Sequence, residues 1–171
     1  MRRVRYQVAM SLDGYIAGPK GEYDWIVADP DIDFAALFAQ FDCFLMGRKT
    51  YEMMANYGPS LADGQQTFVF SKTLKQADHP KVKIVSSNAK KVIADLKAKP
   101  GKDIWLFGGG DLFRSLLKLK LVDSVEVAVI PVMIGGGLQL LPAPASKCKL
   151  KLTGHRLYKK SGIMLLEYAV A

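Results

Sequence analysis

The 171 residues hold only two cysteines, two histidines and two tryptophans. No apolar run approaches the roughly 20 residues needed to span a bilayer. Cys43 and Cys148 stand far apart, with no CxxC spacing and no histidine neighbour, so no metal site is expected and both thiols are expected to be free and buried. His79 precedes a proline in a turn-rich stretch and His155 sits in an alternating segment; neither has a partner in the sequence, and both read as structural or exposed. The opening Met1-Arg2-Arg3 is basic, but Arg5, Gln7 and Asp13 interrupt any apolar core behind it. That argues against a signal peptide and gives the cytoplasm as the expected compartment. There is no internal repeat, linker or low-complexity tract.

What is present is core material. Half of the residues are hydrophobic, with seven Tyr and eight Phe, enough for one packed domain over 1–171 and too little for two. The net charge is +8. The cations are scattered as Lys90-Lys91, Lys118/Lys120 and Lys147/Lys149/Lys151, with no basic stripe carrying interleaved aromatics. A nucleic-acid partner is therefore not expected, and the field suits a small, multiply anionic ligand.

The organising stretch is Ile104 to Leu117, IWLFGGGDLFRSLL. Four bulky apolar residues read as a buried strand, three glycines follow, and Leu112, Phe113, Leu116 and Leu117 then fall on one helical face. A strand, a glycine turn and a helix aim free backbone N–H groups and a positive helix end at one spot, which suits a pyrophosphate. The glycines also serve simply as a turn, and G-x-G-x-x-G is not matched because Phe113 holds the third glycine position.

Similar junctions recur. Val4 to Ser11 alternates as a strand, and Leu12 to Trp25 follows as an irregular covering loop rich in turn formers yet carrying Tyr15, Ile16, Tyr23 and Trp25. Asp29, Asp31 and Asp33 precede Phe34, Leu37, Phe38 and Phe41, a helical spacing with Asp31 or Asp33 as N-cap; capping needs one carboxylate, not three. Cys43 to Met46 is a short strand running into Gly47-Arg48-Lys49-Thr50, the start of a helix that turns Tyr51, Met53, Met54 and Tyr57 inward and stops at Gly58. Two cations in a first helical turn oppose the helix dipole unless an anion joins them. Thr67 to Ser71 is a strand ending in Ser71-Lys72-Thr73, and Val82 to Val85 is another, followed by an Asn88-capped helix. After the organising unit come a strand at Ser124 to Val129, a glycine-rich Pro131 to Gly137, and a hairpin of Leu150 to Leu157 with Ile163 to Ala169. Alternating strands and helices with an antiparallel end predict a three-layer α/β domain on a mixed sheet, the glycine junctions lying at the carboxyl ends of neighbouring strands.

Met46 to Glu52, Phe70-Ser71-Lys72 and Phe107 to Gly110, in this order and spacing, resemble the dihydrofolate reductase superfamily. Ser11-Leu12-Asp13-Gly14-Tyr15-Ile16-Ala17 and Pro131-Val132-Met133-Ile134-Gly135-Gly136-Gly137 are similar to one branch of it, the RibD C-terminal reductase domain of riboflavin biosynthesis and its stand-alone relatives. The resemblance implies a dihydrofolate reductase-like α/β/α fold with a sheet of about eight strands. It also implies an NADPH-dependent reductase acting on a C=N or C=O of a heterocycle or a ribosylaminopyrimidine. Carried over, Gly47, Arg48, Lys49 and Thr50 hold cofactor phosphates, and Ser71 and Lys72 meet the 2′-phosphate. Gly108, Gly109, Gly110, Asp111 and Leu112 form the pyrophosphate turn, with a cis Gly108–Gly109 bond. Ala9, Ile16 and Ala17 face the nicotinamide, and the loop from Gly14 to Trp25 is its lid. Asp33 and Asp31 are the candidate proton donor and substrate contacts, beside Trp25 and Phe34 as substrate-binding residues. Their spacing from Trp25 departs from that of dihydrofolate reductases, which makes dihydrofolate itself the alternative substrate. The zinc deaminase signature of the bifunctional enzymes is absent, and Lys20 and Arg114 are the cations left for a substrate phosphate. The remaining alternatives are a nucleotide-binding module without turnover and, for assembly, a homodimer.

Overall fold

A computed structural model describes residues 1–55 and 65–171. In chain order the elements are β1 (Val4–Ser11), β2 (Tyr15–Ala17), α1 (Phe34–Phe38), β3 (Phe41–Gly47), α2 (Arg48–Ala55) and β4 (Gln66–Phe70). A 3₁₀ turn at Gln76–Asp78 follows, then β5 (Lys83–Val85), α3 (Ala89–Ala98), β6 (Asp103–Gly108) and α4 (Gly110–Lys118). The chain closes with β7 (Ser124–Ile130), β8 (Leu138–Gln139), β9 (Leu150–Tyr158) and β10 (Ile163–Val170).

Eight strands form one sheet in the order β5-β4-β3-β6-β1-β7-β10-β9. The first six pair in parallel; β10 runs antiparallel to both β7 and β9. β3 is buried on both faces, hence its unbroken apolar run: Cys43 and Leu45 pack with α3 and α4, while Phe44 and Met46 pack with Leu37, Phe38, Tyr51 and Met54 of α1 and α2. β1 splits by alternation. Val4 and Tyr6 enter the α3/α4 core, where Tyr6 stacks on Phe113, and Arg5, Gln7 and Ala9 face the other way.

The structure departs from the sequence reading at defined points. The helix that was to include Phe41 ends at Phe38, because Phe41 opens β3 opposite Asp103 and lies buried beneath the Arg5 guanidinium. The covering loop contains β2, held by pairing with β8. Asn88 occupies the N-cap of α3 with a left-handed backbone (φ 56°), and its side chain makes no capping hydrogen bond. Cys43 is buried, its thiol pushed up to about 12 by desolvation, whereas Cys148 is half-exposed. Tyr57 and Gly58 lie outside the described residues.

Candidate functional site

Because β4, β3 and β6 are neighbours, their carboxyl ends bring the three junctions side by side. Gly47 to Thr50, Ser71-Lys72 and Gly109 to Leu112 line one cleft of about 610 Å³. The amino ends of α2, α3 and α4 all open onto it. The Gly108–Gly109 peptide is cis, and Gly108 has φ +139°, a region closed to side chains in practice. Gly109 caps α4 with no side chain, so the first N–H groups of the helix stand open. At Gly110 a Cβ would meet the Gln139 carbonyl at 2.5 Å, so this glycine lets the 138–142 strap close over the helix start.

The cations differ in their freedom. Arg48 is tied to Glu52 at 3.0 Å one turn along α2, while Lys49 and Lys72 make no ion pair among the described residues. Ser71 Oγ accepts the backbone N–H groups of Thr73 and Leu74 at 3.2 and 3.1 Å. The same hydroxyl also lies 3.3 Å from Thr73 Oγ1, so Ser71 ties the turn after β4 together. Two ammonium groups without an ion pair among the described residues, the Thr50 hydroxyl and three helix ends give the cleft a charge and geometry that suit a phosphate. A second cavity, about 410 Å³ at the amino ends of the strands, is also lined by arginines. There the guanidinium charges are already met: Arg2 pairs with Asp42, Arg3 with Asp103, and Arg5 with Glu126.

The sequence pattern marks Asn88 only as a helix cap and does not single out Ser86 and Ser87; all three line the same cleft from the β5–α3 junction. The signal was a Ser-Ser-Asn run after a short strand, a fourth junction of the same kind. Leu138 and Gln139 of β8 form part of the rim, which joins β2, and with it Ile16 and Ala17, to the cleft wall. Gly137 has no side chain where the Ala17 carbonyl crosses it. Asp13 fixes this corner, accepting from Ser11 Oγ and from the N–H groups of Ile134 and Gly135. The Ser11 hydroxyl and those N–H groups hold its carboxyl below the usual range.

The other residues named for the site are not in this cleft. Ala9 and Trp25 pack together against Ile130, Tyr158 and Ile163 on the α1 side of the sheet. Phe34, the first residue of α1, is 47% exposed. The three carboxylates each have separate work. Asp33 caps α1, accepting from Ala36 N at 2.8 Å. Asp31 pairs with Lys160 at 2.8 Å. Asp29 is buried and accepts from the N–H groups of Asp31 and Ser161, tying the approach to α1 to the β9–β10 turn. Arg114, considered for a substrate phosphate, is held by Asp111 and by the Pro142 and Ala143 carbonyls.

Bonds from Ser161 and Asp31 hold the Asp29 carboxyl below its ordinary value. A depressed folded-state pKa stabilises above the unfolded value and loses that contribution as pH falls through the folded one. Asp29→Ala should therefore lower the melting temperature near pH 7, and its gap from wild type should close below about pH 4. The gap narrows as pH falls from about 4 through the folded value, and thermal melts across pH 2 to 7 check this; a gap as large at pH 2 as at pH 7 would assign the loss to packing.

Sheet order, the cis glycine turn and the phosphate-like cleft define the dihydrofolate reductase-like class of fold. The structure aligns with that of Enterococcus faecalis dihydrofolate reductase complexed with NADP(H) at a TM-score of 0.70 and 16% identity, over 98% of this chain and 96% of that one. Within this class, residues 2–164 match the RibD C-terminal domain, and the chain belongs to that family. It is 32% identical to the uncharacterized protein YyaP of Bacillus subtilis (strain 168), over 98% of this chain and 94% of that protein. A putative riboflavin biosynthesis protein from Shewanella sp. PV-4 superimposes at a TM-score of 0.83 with 28% identity, over 100% of this chain and 99% of the other. Family and neighbours together support a reductase of this kind. No helix among the described residues is long and apolar enough to cross a membrane.

Proposed function

We propose that the chain is an NADPH-dependent reductase, reducing a C=N or C=O of a small heterocycle or a ribosylaminopyrimidine of the riboflavin-pathway type. The observation that carries this reading is the pair of lysines, Lys49 and Lys72, that make no ion pair among the described residues, beside the Thr50 and Ser71 hydroxyls in a cleft onto which three helices open. The glycine turn fits a dinucleotide: Gly109 places no side chain between the free N–H groups of α4 and a pyrophosphate, and Gly110 lets the 138–142 strap close over the helix start. Ser71 and Lys72 meet the 2′-phosphate, and Arg48, Lys49 and Thr50 meet the neighbouring phosphates. Ala9, Ile16 and Ala17 wall the nicotinamide, and the Gly14 to Trp25 segment shields it from water. When bound, NADPH supplies the hydride. Trp25 and Phe34 hold the substrate ring, and Asp33, whose second carboxylate oxygen is not used in capping, delivers the proton to the heteroatom.

Asp33→Asn separates these roles, since asparagine caps a helix as well as aspartate does. If Asp33 is the donor, turnover falls by about 10²-fold or more with the melting temperature unchanged. Asp33→Ala should also lose about 1 kcal/mol of stability. Steady-state assays with ribosylaminopyrimidine and dihydrofolate, beside melts of both variants, check it; full activity in Asp33→Asn moves the proton transfer elsewhere. The structural engagement of Asp29, Asp31 and Asp33 favours one other reading, a nucleotide-binding module without turnover. Tight NADPH binding with no oxidation by any pterin or aminopyrimidine would select it.

A homodimer is the proposed assembly. β9 is an edge strand whose Leu150, Leu152 and Leu157 are 45%, 52% and 51% exposed. Register places them across from Val170, Tyr168 and Met164 of β10, giving one apolar sheet face. A second copy laid on the same face would bury it. Sedimentation should give a dimer for wild type and a monomer for Leu152→Glu; a monomeric wild type excludes it.

A further inference from the structure

The cavity of about 410 Å³ at the amino ends of the strands lies at the opposite edge of the sheet from the cofactor cleft, and the proposed reduction does not use it. Arg2, Arg3 and Arg5 form one wall, and Lys99 and Lys102, from the loop between α3 and β6, form another. Arg2 is the built part of the site. It is only 8% exposed, folded in because Gly101 carries no side chain: a Cβ there would meet Asp42 Oδ2 at 2.5 Å and the Arg2 guanidinium carbon at 3.1 Å. Its Nε donates to the Lys102 carbonyl at 2.6 Å and its Nη2 to Asp42, which together fix the plane of the group. Nη1 makes no hydrogen bond among the described residues, and it is not sealed from solvent. A cation buried to this depth with one donor group open calls for an acceptor from outside the chain.

The charge around Arg2 says what that acceptor is. Three carboxylates answer the three guanidinium groups: Asp42 pairs with Arg2, Asp103 with Arg3 and Arg5, and Glu126 with Arg5. Lys99 and Lys102 are exposed and make no ion pair among the described residues, so two positive charges on the cavity wall are left over. Two ammonium groups on flexible stems, with one guanidinium donor held in place beside them, suit a tetrahedral dianion. The volume points to more than a bare oxyanion. At about 410 Å³ the cavity falls within the range of small-molecule sites, about 300–1,000 Å³, which leaves room for an organic group behind the charged head.

We infer that this amino-edge cavity is a second ligand site, one that binds a small phosphate monoester with its dianionic head between Arg2 Nη1, Lys99 and Lys102. The inference is independent of the reductase reading, since the two cavities share no residue. A monoester held there joins the start of the chain to the α3–β6 loop and adds to the stability of the folded state.

The probes are glycerol 3-phosphate, a monoester that is a dianion at pH 8, and dimethyl phosphate, a diester that carries a single charge. Both are titrated calorimetrically at pH 8 and low salt into the Lys49→Ala/Lys72→Ala protein, whose cofactor cleft has lost its two lysines, and into the same protein with Lys99→Met and Lys102→Met added. The expected result is that the first protein binds the monoester at least about tenfold more tightly than the diester, and that the second loses this preference. A further readout needs no variant. In wild type, saturating glycerol 3-phosphate should slow the acetylation of Lys99 and Lys102 by acetic anhydride at least about threefold, followed by mass spectrometry, while the exposed Lys147 reacts as before. The inference is overturned if the first protein fails to bind the monoester or binds both probes equally, or if the preference survives Lys99→Met and Lys102→Met. Unchanged acetylation of Lys99 and Lys102 in wild type overturns it equally.

Discussion

Lys72→Ala is expected to weaken NADPH binding tenfold to about a hundredfold while leaving NADH binding within about twofold, a loss of about 1.5–3 kcal/mol for one charged hydrogen bond. The asymmetry follows from where the lysine stands. Lys72 is the first residue after Ser71 at the carboxyl end of β4, exposed and without an ion pair among the described residues, so its charge has no structural work to lose. Its removal should not change the melting temperature of the apo protein. Lys49→Ala, at the first turn of α2, should weaken both dinucleotides together, because it is assigned to phosphates that they share. Fluorescence titrations of the two variants with both cofactors make the comparison. Equal losses for NADPH and NADH in Lys72→Ala would remove the 2′-phosphate assignment.

Glu126→Ala should be the most damaging single change to stability, costing about 3–5 kcal/mol, because it leaves a buried guanidinium without its main partner. The Arg5 and Glu126 side chains are 8% and 6% exposed, and two 2.7 Å bonds join them across β1 and β7. Burial works against the Arg5 charge, yet Glu126 and Asp103 hold its pKa above the ordinary value. At about 2–4 °C per kcal/mol for a chain of this size, the melting temperature should fall by roughly 10 °C. The double variant Arg5→Met with Glu126→Leu should recover most of this, since well-packed apolar groups often replace a buried pair at little cost. If the single variant melts within 2 °C of wild type, Gln40 and Asp103 suffice for Arg5 and the pair is dispensable.

Much of the scaffold was legible because strong periodicity and turn chemistry coincide. β1 begins and ends where its alternation does, and the strand, glycine turn and helix of 104–117 appear as read; the cis bond at Gly108–Gly109 is the one the family resemblance implied. The adjacency of the three junctions followed from βα alternation, since parallel strands bring successive βα turns to one edge. What escaped the sequence depends on long-range contact. β2 and β8 are three and two residues long, too short for any period, and exist because distant loops meet. Phe41 fits a helical spacing equally well, and only its place in the sheet opposite Asp103 decides against it. Asp29, Asp31 and Asp33 look alike in sequence, and their division of labour is set by Ser161 and Lys160 from the far end of the chain. Arg2 reads there as part of a basic start to the chain; its burial and its open Nη1 appear only once Asp42 and the Lys102 carbonyl are seen to hold the rest of the group.

The most direct measurement is a titration of the purified wild-type protein with NADPH and, separately, NADH, followed by nicotinamide fluorescence. If Lys72 and Ser71 meet a 2′-phosphate as proposed, the cleft should bind NADPH with micromolar affinity or better and at least about tenfold more tightly than NADH. Failure to bind either, or equal binding of both, would contradict the assignment of the 610 Å³ cleft to this cofactor.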